Sequence, residues 1–126
     1  MTTLHTTDAT QDDRTARIRA LNDALRTAQD PIGALIINGS LVVTAAVADK
    51  GNPFLDHAVD AVRRFSAFTP DNDPYGEHDM AFLEVDGETI FFKVDYYDQN
   101  LEWHSPDPAD AGVTRRVLTI GLASDY

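Results

Sequence analysis

The chain has 126 residues, 43% hydrophobic and 25% charged, which fits one folded domain and excludes disordered and fibrous classes. It holds no cysteine, so disulfide frameworks and every cysteine-based metal, redox or nucleophilic site are excluded. A net charge of −11 excludes direct nucleic-acid binding, which needs a basic footprint.

Residues 1–9 are polar and without periodicity, and read as a flexible tail ahead of a single domain over 10–126. The Met1–Thr10 stretch lacks the apolar core of a signal peptide. The longest largely apolar run, Leu41–Val47, is too short to span a bilayer. The expected compartment is therefore the cytoplasm, with no membrane partner.

Thr10 and Asp13 resemble a capping box, opening a helix from about Gln11 to Ala28. Ile18, Leu21, Leu25 and Ala28 form its apolar stripe, with Arg14, Arg17, Asn22, Asp23 and Arg26 on the opposite face. Asp30-Pro31 ends it. Between Ile32 and Val47 the residues are largely aliphatic and are broken by Asn38-Gly39, the strongest short hairpin signal, which predicts Ile37 opposite Ser40. Asn52-Pro53 supplies an N-cap and a first-turn proline for a second helix to about Phe65, buried through Leu55, Ala58, Val59, Val62 and Phe65.

Phe68–Asp79 is a loop dense in Pro, Asp and Asn. A second hairpin follows, with strands Met80–Val85 and Glu88–Tyr97 around Asp86-Gly87. Asn100–Gly112 is another loop. Thr114–Ala123 is a last strand, with Leu118, Ile120 and Leu122 on one face. The expected fold class is α+β: a mainly antiparallel sheet of about five strands with two helices packed on it.

The charge is segregated. Asp71–Asp110 holds twelve acids and one base, Lys93, and so carries the whole net charge, while the rest of the chain is balanced. Such a block suits a basic protein or a cation, or serves only to keep the chain soluble. A two-residue turn at Asp86-Gly87 pairs Met80 with Lys93 and, extended further, places His78 opposite Asp95. That pair has three readings: a structural contact, an acid–base dyad, or, with Asp98, part of a metal site. No phosphate-binding, dinucleotide or nucleophile-elbow motif is present, and no cofactor is expected. Trp103-His104, in an acidic loop, reads as an exposed contact point or a loop anchor.

Asn72-Asp73-Pro74-Tyr75-Gly76-Glu77-His78-Asp79, Phe91-Phe92-Lys93-Val94-Asp95-Tyr96-Tyr97-Asp98, Ser105-Pro106-Asp107-Pro108-Ala109-Asp110 and Arg116-Val117-Leu118-Thr119-Ile120 together resemble domain-of-unknown-function family 3768. Arg19-Ala20-Leu21-Asn22-Asp23 resembles the family's opening, so the resemblance covers roughly residues 17–126. Met80-Ala81 departs from the family's usual Phe-Gly. The resemblance implies an uncharacterised protein of alphaproteobacterial plasmids and phages, carried near anti-restriction genes. Charge and resemblance together suggest a non-enzymatic anti-defence inhibitor, of the anti-restriction or anti-CRISPR kind. Its acids would mimic DNA and occupy a nucleic-acid-binding site on a basic host defence protein. The expected partner-binding residues are Asp71, Asp73, Glu77, Glu84, Glu88, Asp98, Glu102, Trp103 and Asp107. The alternative is a small metal-dependent or acid–base hydrolase centred on His78 and Asp95.

Overall fold

Asp30 and Pro31 start a helix rather than merely ending one. In the computed structural model, which describes residues 3–126 and the side chains of 10–126 except Pro31, the Asp30 carboxylate accepts the Gly33 N–H at 2.8 Å. Proline occupies the first turn, where its missing N–H costs nothing. The chain thus runs α1 (Thr3–Thr27), α2 (Pro31–Ile36), β1 (Gly39–Val43), α3 (Ala45–Asp49), α4 (Asn52–Arg64), β2 (Met80–Val85), β3 (Glu88–Tyr97) and β4 (Arg115–Leu122). The expected tail over 1–9 falls on residues whose side chains lie outside those described. Thr10 lies inside α1 and is not its cap. No helix among the described residues is long and apolar enough to cross a membrane.

The first expected hairpin does not form. Asn38 has φ of 56°, the left-handed conformation that Asn-Gly was expected to give a turn, but here it closes α2. A helix C-terminus and a type I′ turn ask for the same backbone freedom. Downstream, Thr44 accepts the Val47 N–H and starts α3, which removes the other half of the expected strand. Gly51, at φ 92°, caps α4 in place of Asn52.

The sheet accordingly has four strands, not about five, in the order β1-β4-β3-β2. It is mixed: β2, β3 and β4 are antiparallel, and β1 joins β4 in parallel. The second hairpin forms in the expected register, from Val85 opposite Glu88 to Met80 opposite Lys93. Asp86 and Gly87 both have positive φ, 51° and 83°, as a type I′ turn requires. One sheet face buries Ile90, Phe92, Val94, Leu118 and Ile120 against Leu25 of α1 and Phe54, Ala58 and Val62 of α4. On the other face, Phe82 and Tyr126 stand edge-on to each other and cover Phe91.

Candidate functional site

The Phe68–Asp79 loop is laid along α1 and held there by side chains of the helix. Arg19 donates to the Gly76 carbonyl at 2.7 Å, and Asn22 to the Glu77 carbonyl at 3.0 Å. Asn72 closes the loop on itself, accepting the Thr69 N–H and donating to the Ala67 carbonyl. These bonds present His78, at φ 55°, to two carboxylates. Its Nδ1 lies 2.9 Å from Asp23 Oδ1, and its Nε2 lies 3.6 Å from Asp73 Oδ2. Asp73 also accepts the His78 backbone N–H at 3.1 Å. The imidazole stacks on Phe68 with ring centroids 3.8 Å apart and planes within 5°.

Beneath this stack lies Arg26, whose guanidinium sits over the Phe68 and Phe92 rings. It donates to the Val62 and Phe65 carbonyls at the end of α4, and to Asp23 at 2.9 Å. Asp23 therefore bridges Arg26 and His78. Beside it Asn22, fully buried, accepts from Arg116 Nε at 2.9 Å and donates to the Tyr96 hydroxyl at 2.7 Å. Tyr96 in turn donates to Glu77 at 2.8 Å, and Arg116 caps the Pro108 carbonyl. Burial pushes the Tyr96 phenol up and the Arg116 guanidinium down from their ordinary values. The group joins α1, both long loops, β3 and β4.

The polar face expected of α1 is thus only half correct: Asn22 and Arg26 are buried because the loop and α4 close over them. Arg116 had a sequence signal, since it shares the alternation of Leu118 and Ile120 and must point inward with them. Asp23 and Phe68 had none.

The expected His78–Asp95 pair is not formed. The strand pairing stops at Met80–Lys93, the chain turns at His78, and the ring goes to α1; Asp95 pairs with Lys93 at 3.3 Å. Among the described residues no group of three His, Asp or Glu side chains could hold a metal ion, so His78, Asp95 and Asp98 do not converge as ligands.

The acids of the block are dispersed. Asp73 is buried and Glu77 faces Tyr96, so neither presents a free carboxylate. At the hairpin tip Glu84 meets Thr89, Asp86 meets His57 and Glu88 meets Lys50. Asp98 accepts the Glu102 and Asn100 N–H groups, which hold its carboxyl below the usual range. Asp107 is held down by Arg14 at 2.7 Å. Asp71 and Glu102 are exposed. Glu88 and Asp98, at the two ends of β3, are ten positions apart, about 33 Å at strand rise.

At the end away from the tip, an open cleft of about 410 Å³ is lined by Asp79, Asp95, Tyr97, Glu102, Trp103 and His104. Burial pushes the Asp79 carboxyl up. Trp103 is 75% exposed, so it is not an anchor packed onto the sheet. The cleft pairs carboxylates with an exposed indole, a combination suited to cationic side chains.

No curated protein and no solved structure matches the chain. A family model does, over residues 43–125, and leaves Arg19–Asp23 outside its span. The chain belongs to the family described as protein of unknown function, DUF3768.

Proposed function

We propose that the protein is a small non-enzymatic binding module that occupies a basic, nucleic-acid-binding surface on another protein. The observation that supports this reading is the cleft in which Asp79, Asp95 and Glu102 stand beside the exposed Trp103. Indole and carboxylates together take lysine or arginine side chains, and tryptophan in such a setting is a typical interface anchor. The net charge supports it further, because a chain of −11 attracts a basic partner and repels nucleic acid. The target is a host defence component and the protein an anti-restriction or anti-CRISPR inhibitor of a mobile element. This last step rests on the family resemblance and on charge. The hydrolase alternative loses its support with the His78–Asp95 pair, since both ring nitrogens of His78 face other carboxylates.

The test is a pull-down from host lysate with the immobilised protein, washed at low and high salt and eluted with duplex DNA. Captured basic proteins are expected to leave with salt and with DNA, because exposed charge pairs are screened over about 10 Å at 0.1 M. The folded variant Asp71→Lys, Glu102→Lys, Trp103→Ala is expected to lose that capture. A variant that captures the same proteins as the parent would leave solubility as the only role of the charge.

A further inference from the structure

The edge of the sheet at β1 lies in a segment without charged side chains. Pro31–Ala48 is a run of 18 residues without one Asp, Glu, Lys, Arg or His, in a chain that is 25% charged. Among the described residues, ten large apolar side chains stand exposed, and five of them fall in this run: Ile32, Leu35 and Ile36 on α2, Leu41 and Val42 on β1. Ile36 is 76% exposed. A cluster of this kind marks an interaction surface rather than scattered apolar exposure.

The backbone of β1 is also open. Asn38 accepts from the Arg116 N–H, and the Thr44 N–H donates to Ile120, so the even-numbered positions face β4. Strand alternation then turns the N–H and C=O groups of Leu41 and Val43 away from the sheet, while Gly39, at the start of the strand, is buried. Edge strands are ordinarily blunted by charge, proline or a bulge, and β1 has none of these. The opposite edge, β2, carries Glu84.

We propose that β1 is a self-association seam, where two copies of the chain pair β1 with β1 antiparallel about a two-fold axis at Leu41 and join their sheets into one of eight strands. Charge decides the occupant. The seam presents nothing to a basic partner, and two chains of −11 can approach only where each is uncharged; a second copy meets both conditions. The geometry closes as well. A two-fold pairing uses one patch on both sides, and Leu41 is the middle residue of the strand. Antiparallel pairing also carries α2 of one copy to the far end of its partner's β1. There Val43, Leu55 and Val59 line an open groove together with Asp56, Asp60 and Arg63. This seam is independent of the acidic cleft and of what binds there.

Sedimentation velocity over a wide concentration range tests it, with Leu41→Lys and Leu41→Cys. The parent is expected to reach twice 13.9 kDa. Leu41→Lys is expected to weaken association at least about tenfold, because like charges directly opposite on paired strands repel. The parent has no cysteine, so Leu41→Cys reports cleanly: residues paired across the axis at about 5.5 Å between Cα atoms lie within disulfide range. Oxidation should cross-link it to itself, and Asn100→Cys should stay uncoupled. A parent that is monomeric throughout overturns the proposal. So does a dimer that Leu41→Lys leaves intact and Leu41→Cys fails to cross-link, which would place the contact on another face.

Discussion

Arg116 Nε donates to the Asn22 side-chain oxygen at 2.9 Å, although the two residues are 94 positions apart in the chain. The bond is buried and joins the first helix to the last strand. Asn22 also holds the Glu77 carbonyl and the Tyr96 hydroxyl, so its amide satisfies three groups at once. Removing it leaves a buried cation and two polar groups short of partners, which costs more than the bonds themselves contribute. Asn22→Ala is expected to lower stability by about 2–4 kcal/mol in urea unfolding. A loss under about 1 kcal/mol would mean that water takes over the role of the amide.

His57 and Asp86 provide a pH-dependent contact outside this network. Asp86 Oδ2 lies 2.6 Å from His57 Nδ1, and this hydrogen bond, with the carboxylate's charge, raises the imidazole above its ordinary value of 6.5. A histidine more basic in the folded state contributes stability that is full below 6.5 and is lost as pH rises through the raised value. Both groups are exposed, so the contribution is small. Asp86→Asn keeps the positive φ that the turn needs, since asparagine tolerates it, and removes the charge. The His57 titration followed by NMR is expected to fall back toward 6.5 in that variant. An unchanged midpoint would assign the shift to Asp56 and Asp60.

Two glycines separate backbone strain from packing. Gly87 has φ 83° with nothing within 4 Å of a would-be Cβ, so Gly87→Ala is expected to cost about 1 kcal/mol through conformation alone. At Gly121 the same methyl would stand 2.6 Å from the Phe91 ring, which the Phe82 and Tyr126 rings keep from moving away. Gly121→Ala is expected to cost about 1–3 kcal/mol, the more damaging of the two. Thermal unfolding of both variants checks the order.

Asp86-Gly87 and Asn38-Gly39 show how far local reading reaches. Each sequence pair permits positive φ, and that permission was legible in both. At Asp86-Gly87 the flanking residues alternate on both sides of the turn, so turn and register follow together. At Asn38-Gly39 the same freedom serves a helix end, because Asp30 and Pro31 start the six-residue α2 just upstream. The signal for that start was in the chain as well, read only as the end of α1.

The sequence by itself determined α4, the β2–β3 hairpin with its register, β4 and the segregation of charge. Each depends on neighbours in the chain or on a simple count. Tertiary structure alone decided where β1 pairs, which carboxylates meet His78, and which acids remain free. The His78 ring sits opposite Asp95 if the hairpin is extended as a ladder, yet the loop bonds of Arg19 and Asn22 turn it toward Asp23. An exposed charge can be counted from composition, but its partner is chosen by distance in the folded chain. Coulomb and hydrogen-bond energies depend on that distance and on burial, which only packing sets.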